Sequence, residues 1–217
     1  MLGLIWKDFR MNRGMLVLPA VVAAGFTLMG LVVNSRESLV FAASILPVYS
    51  SMIVPFFALN SVTLEEKNRT LAFLRSLPMN PGAIVASKFV APFLVGLAWM
   101  GLTAMAVAAL GIPAGEGAFS LASAALLVCV TLPVAAVQLV VFFRSGAGAA
   151  RTALLVTWFI LFLSPMLLPG SKLGAMSLFV MAANLKPGVS GLVAAGALVV
   201  YFACMLIAQA IFRRREL

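Results

Sequence analysis

The sequence predicts an all-α polytopic membrane protein with six transmembrane helices, and three observations lead there. Hydrophobic residues make up 64% of the chain, charged residues 10%, and the mean hydropathy is +1.15. Soluble domains hold about 45–50% apolar and about 25% charged residues. Six apolar runs each approach the roughly 20 residues that an α-helix needs to cross a hydrocarbon core. The lysines and arginines between those runs fall almost entirely in alternate gaps.

The runs cover residues 15–33, 39–62, 83–110, 119–143, 152–168 and 189–212. All read as helices, because a backbone in lipid must satisfy its own hydrogen bonds, and barrel strands would show alternation over about 10 residues instead. One side of the membrane receives Lys7, Arg10, Arg13, Lys67, Arg69, Arg75, Lys88, Arg144, Arg151, Arg213, Arg214 and Arg215. The other receives only Arg36, Lys172 and Lys186. By the positive-inside rule both termini are cytoplasmic. The net charge of +9 is thereby spread over four patches facing anionic headgroups, so it does not indicate a nucleic-acid partner.

Ahead of the first span, Leu2, Ile5, Trp6 and Phe9 recur at helical spacing, while Lys7, Asp8, Arg10 and Arg13 occupy the other side. This predicts an interfacial helix over residues 1–14, an elbow lying among membrane lipids with Trp6 at headgroup depth, Phe9 in the apolar stripe and Lys7 and Arg10 on the charged one. A secretory signal is not expected. The following run is longer than a 7–15-residue signal core and ends in Asn34-Ser35-Arg36 without a small-x-small cleavage site.

Between the second and third spans, residues 64–88 read LEEKNRTLAFLRSLPMNPGAIVASK. The segment is too charged to span and longer than the 2–8 residues usual between packed helices. Thr63 and Glu66 have capping-box spacing, and Leu71, Phe73, Leu74 and Leu77 make a short amphipathic helix that Pro78 stops. Asn80 followed by Pro81 predicts the cap of the third span. A short rigid helix parallel to the membrane results.

Between the fifth and sixth spans, the apolar stretch 173–183 is too short to cross and is bounded by Pro169-Gly170 and Pro187-Gly188. It reads as an extracellular interfacial or re-entrant helix within 170–188. The second span carries Pro47, Tyr49, Ser50, Ser51, Pro55, Asn60 and Ser61, and the fifth Thr157, Ser164 and Pro165. Hydroxyls and prolines in lipid face protein or a cavity, so Tyr49, Ser50, Ser51, Asn60, Thr157 and Ser164 are candidates for a translocation path, with ordinary helix packing as the alternative. Gln138 in the fourth span is expected to make an interhelical hydrogen bond. The two cysteines, Cys129 and Cys204, lie inside spans, and the chain has no histidine. No disulfide, metal site or resident cofactor is expected.

Taken together, the N-terminal interfacial helix, six spans, inward termini and the loop pattern E-x-x-x-x-T-L-x-x-L-x-S-L-P-x followed by I-V-x-S-K resemble the membrane (permease) subunit of type 2 ATP-binding cassette (ABC) exporters. The topology is similar over nearly the whole chain, and the specific motif over about 25 residues. On this resemblance Glu65 or Glu66 matches the family's acid at the end of the second span. Thr70 and Leu71 match its small-polar and apolar pair, Leu77 and Pro78 the end of its coupling helix, and Lys88 the lysine opening the third span. Many relatives carry Gly-Thr where this chain has Arg69-Thr70.

The resemblance implies that residues 64–80, with Leu74 and Arg75 on the amphipathic helix, dock on a separate ABC ATPase subunit that holds ATP and Mg. The chain has no G-x-x-x-x-G-K-[ST] phosphate loop. It implies further a second permease copy, as homodimer or heterodimer, since one six-helix bundle is too narrow to enclose a wide path. A permease of an assembly complex, as in haem handling during cytochrome c maturation, is similar in size and topology and stays open. An ion-coupled transporter normally needs titratable groups inside the membrane, and all six acids lie at loops or termini. A membrane enzyme needs convergent catalytic groups, whereas adjacent Glu65 and Glu66 diverge by about 100° on a helix.

Overall fold

The computed structural model describes residues 2–33, 35–68, 70, 80–111, 121–167 and 187–214. These form seven principal helices: α1 (Leu2–Met11), α2 (Arg13–Val33), α3 (Arg36–Lys67), α4 (Pro81–Ala109), α5 (Leu121–Ser145), α6 (Ala147–Leu167) and α7 (Pro187–Arg214), and no strand among the described residues. The six apolar runs correspond in order to α2 through α7. Over the described residues, four helices are long and apolar enough to cross a membrane: α2, α4, the 128–145 part of α5, and α7. In α6 the apolar stretch Ala147–Ile160 is shorter. The expected re-entrant helix, and the loop helix apart from Thr70, lie outside the described residues.

The helix ends follow local chemistry. Ser35 caps α3, its Oγ accepting from the Ser38 N–H at 3.2 Å. Asn80 caps α4 as its spacing predicts, its Oδ1 accepting from the Gly82 N–H at 2.9 Å with Pro81 in the first turn. The end of α3 differs from expectation. Thr63 and Glu66 form no capping box, because one helix of 32 residues runs through both to Lys67. Leu64, Glu65, Glu66 and Lys67 are good helix formers, and Glu65 pairs with the buried Lys88 and with Lys7, so nothing unwinds the backbone there. A single residue, Gly146 at φ 90°, turns α5 into α6. That left-handed conformation is open to glycine.

Helix α5 sits at the centre, touching α3, α4, α6 and α7. Its Leu132, Ala135, Ala136, Leu139 and Phe142 share a core with Val54, Ala58 and Val62 of α3, Val85 and Phe89 of α4, and Tyr201 and Ala208 of α7. Small side chains let the backbones approach, which is how helices associate in lipid. At Gly96 a Cβ would stand 3.1 Å from Val128 and 3.2 Å from Val54, so α3, α4 and α5 are nearly touching there. The Tyr201 hydroxyl donates to the Phe89 carbonyl at 2.5 Å, tying α7 to α4. The outward faces are apolar: Val17, Leu18 and Val21 on α2, Leu155 and Phe159 on α6, Leu192 and Leu206 on α7 are all exposed. This is the pattern of helices solvated by hydrocarbon.

Helix α1 presents a face that differs from its hydrophobic stripe. Leu2 and Trp6 are exposed, whereas Asp8 and Asn12 are buried. Ile5 and Phe9 do turn inward, onto Phe57, Ala91, Val95 and Trp99, with the Phe9 and Phe57 rings 5.8 Å apart. The inward face is therefore 5, 8, 9 and 12, which mixes apolar and polar groups. Its polar members are held because partners wait for them on α3 and α4.

Candidate functional site

Those partners are Glu65 and Lys88. The Lys88 Nζ lies 2.5 Å from Asp8 Oδ1 and 2.8 Å from Glu65 Oε1, and donates to Ser61 Oγ at 3.2 Å. An ammonium has three donors, so this lysine is fully satisfied. Lys7 is paired with the same Glu65 Oε1. Asp8, Glu65 and Lys88 are 1%, 0% and 2% exposed, whereas the Lys7 side chain is 26% exposed. Two cations face two carboxylates, and with all four ionised the cluster is neutral.

Each helix supplies its share through simple periodicity. Ser61 and Glu65 stand four apart on one face of α3. On α1, the Asn12 Nδ2 donates to the Asp8 carbonyl at 2.8 Å, and Asn12 Oδ1 accepts from Asn60 Nδ2 at 2.6 Å. Asn12 also breaks the helix between α1 and α2 while its carbonyl accepts the Met15 N–H at 2.9 Å. The N-terminal helix is thus fastened to the end of α3 and the beginning of α4 by ionic and amide contacts, on either side of the 68–80 segment.

The neighbouring glutamates have different jobs. Glu66 is exposed and its Oε2 accepts the Ala147 N–H at 2.7 Å, capping α6. A carboxylate there satisfies an orphan donor and complements the helix dipole. Glu65 is the buried ion-pair partner.

Burial pushes the Asp8 carboxyl above its usual 3.8, opposed chiefly by the neighbouring Lys88 ammonium, with Glu65 adding to the rise and Lys7 to the opposition. In the window from 3.8 upward to its raised value, the folded protein therefore holds a proton that the unfolded chain has lost. Stability should fall as pH rises through that window and recover on acidification. Thermal unfolding midpoints in detergent across pH 4–8 should show this slope, and Asp8→Asn should flatten it; an unaltered slope in the variant would assign it to another group.

Of the other residues expected from the sequence, Trp6 and Arg10 are exposed on α1 and Phe9 is in the core contact described above. Thr70 is helical and half-buried. Arg69, Leu71, Leu74, Arg75, Leu77 and Pro78 lie outside the described residues. Tyr49 packs beside the cluster of Phe57 and Trp99, and Ser51 is buried. Thr157 Oγ1 donates to the Ala153 carbonyl of its own helix at 2.7 Å. Asn60 joins Asn12 near the ion cluster. The side chains of Ser50 and Ser164 lie outside the described part.

The sequence places Asp8 on the charged stripe of the elbow helix, opposite Ile5 and Phe9; the structure buries it beside them, and the signal was its four-residue spacing to Asn12. The interhelical bond expected of Gln138 is absent among the described residues, since neither amide atom has a hydrogen-bond partner.

A bundle of long apolar helices, with a buried ion cluster flanking the loop that carries the motif, meets an independent observation. The family model described as ABC-2 family transporter protein matches residues 3–213. The chain belongs to the ABC-2 transporter family. No curated protein matches it. Membership makes this ABC-2 protein the membrane permease component of an ABC transporter, a multi-pass chain that is not itself the ATPase and whose partner is an ABC ATPase. Three of its residues singled out by the motif, Glu65, Glu66 and Lys88, are held in specific contacts at the two ends of the loop, and Lys7 of the elbow helix joins them.

Proposed function

We propose that this ABC-2 protein is the permease of an exporter that moves an amphipathic or hydrophobic substrate, such as a peptide, antibiotic or lipid, out across a bacterial or archaeal inner membrane. ATP and Mg are held by the separate ATPase subunit, and the membrane part is a homodimer or heterodimer of six-span chains with cytoplasmic termini. The coupling helix within residues 64–80 is the point of contact with the ATPase.

The observation that carries this reading is the ion cluster. A push delivered to the loop reaches the end of α3 and the start of α4, and both are bound to α1 through Glu65, Lys88, Lys7 and Asp8. Lys88 spends all three of its donors in the cluster, while Asp8 Oδ2 and Glu65 Oε2 have no partner among the described residues; parting a buried ion pair is costly, so the three helix ends move as one body. Rigid-body movement of packed helices is a recognised means of transmitting such a push. The two buried carboxylates each hold a lysine already, which favours this mechanical role over that of an ion-coupled carrier.

Leu77→Asp tests the reading. A charge in place of one of the apolar residues of the expected loop helix should leave membrane insertion intact and abolish cargo-dependent stimulation of ATP hydrolysis in the co-purified complex. Unchanged coupling would remove the loop from the mechanism.

A further inference from the structure

Four helices are interrupted by proline at one level of the bundle. Gly96 of α4 marks it, because a Cβ there would stand 3.1 Å from Val128 of α5 and 3.2 Å from Val54 of α3. Counted from this contact toward the loop, Pro55 lies one residue along α3, Pro92 four along α4 and Pro133 five along α5. At the helical rise those are offsets of about 1.5, 6 and 7.5 Å, so the three fall within about one turn of each other. Pro19 of α2 falls between Leu16 and Ala23, which pack on Phe57, Ala91 and Val95, the sequence neighbours of Pro55 and Pro92. The other prolines inside described helices stand apart. Pro47 is seven residues from Val54 in the opposite direction, about 10 Å away, and Pro165 is in the last turn of α6.

Proline is frequent in membrane helices, so the alignment is what counts. Each proline lacks the N–H that would close a bond to the carbonyl four residues earlier, and its ring crowds that carbonyl. Helices bend most readily at such points. For Pro92 the carbonyl belongs to Lys88, the hub of the ion cluster. Polar ties between helices lie on the loop side of the Gly96 contact: Lys88 with Asp8, Glu65 and Ser61, Asn12 with Asn60, Tyr201 with Phe89, and Gln209 Nε2 with the Gly82 carbonyl at 3.4 Å. A body fastened by hydrogen bonds and ion pairs thus begins where the backbones bend most easily. At the level itself α3, α4 and α5 meet on a glycine and two valines, a contact that can tilt without parting a polar bond.

We propose that Pro19, Pro55, Pro92 and Pro133 form a hinge across the bundle, at which the tied loop-side ends tilt together against the far halves when the ATPase moves the loop. The core of each bundle stays packed. The tilt changes the gap between the loop-side ends of two permease copies, where the path lies. The inference rests on the permease reading.

The test uses the full chain co-purified with its ATPase, carrying Cys129→Ser and Cys204→Ser and spin labels on pairs of exposed positions. Doubly labelled chains are diluted among unlabelled ones, so that each distance lies within one chain. Double electron–electron resonance then compares the nucleotide-free complex with the complex trapped by ATP and vanadate. A change of about 20° in kink swings a loop-side arm of about 10 residues through about 5 Å. Lys67→Cys with Met105→Cys straddles the level and should shift by about that much. Lys67→Cys with Arg214→Cys, and Val33→Cys with Met105→Cys, lie on one side each and should hold still. No shift in the straddling pair, or equal shifts in all three, overturns the proposal. Pro55→Ala combined with Pro92→Ala restores two backbone donors. It should abolish the shift and cut ATP turnover of the complex at least about fivefold, whereas Pro47→Ala keeps turnover within about twofold. A full shift in the double variant, or an equal loss from Pro47→Ala, overturns the proposal as well. The straddling pair in the parent chain decides even where the double variant fails to assemble. Should no ATPase co-purify with the parent chain, the permease reading itself fails and this inference with it. An ATPase that co-purifies and turns over while every distance within the chain stays fixed sinks the inference alone.

Discussion

Lys88→Met should destabilise the protein by about 3–5 kcal/mol, the usual cost of removing one partner from a buried ion pair. The substitution keeps the length of the side chain, so the loss is electrostatic. Asp8 would be left without its cation, and Glu65 would retain only Lys7. Lys7→Met is the matched control. Its side chain is 26% exposed and Lys88 still holds Glu65 at 2.8 Å, so a change within about 1 kcal/mol is expected for a pair that water already screens. Unfolding by denaturant in detergent micelles measures both. Equal effects from the two lysines would mean that Lys88 is not the hub, and the rigid connection between α1 and the loop would lose its basis.

Glu65→Ala and Glu66→Ala should separate by about 2 kcal/mol or more, with Glu65→Ala the more damaging. The first leaves two lysines competing for Asp8 in a buried site, at a cost of about 3 kcal/mol or above. The second removes a cap from α6, worth about 1 kcal/mol. On the proposed mechanism the two also differ in coupling. Glu65→Ala should lower the ratio of cargo moved to ATP hydrolysed several-fold, while Glu66→Ala keeps most of it. Reversed rankings in both stability and coupling would identify Glu66 as the working acid.

These two glutamates mark where reading the sequence stops. Adjacency leaves them equivalent to any motif, since either fits the family's acid at the end of the second span. The long helix α3 decides between them, because its periodicity points Glu65 toward Lys88 and sends Glu66 to the Ala147 N–H. The cap at Asn80 needed no such help, as a polar side chain followed by proline states its own geometry. The expected cap at Thr63 failed for the opposite reason: the ion pair of Glu65, two residues further along the same helix, outweighs a local signal. Gln138 was placed in a span correctly, but its missing partner depends on what three other helices bring near it.

The sequence by itself determined the solvent of this protein, the order of its long helices and its family, because hydropathy, charge spacing and motif are properties of contiguous residues. Only the tertiary structure decided that Lys7, Asp8, Glu65 and Lys88 form one ion cluster, since they come from three helices and from positions as many as 81 apart. Their meeting is fixed by the angle at which α1 lies against α3 and α4. No local pattern encodes that angle; it is set by where a buried carboxylate can find a cation.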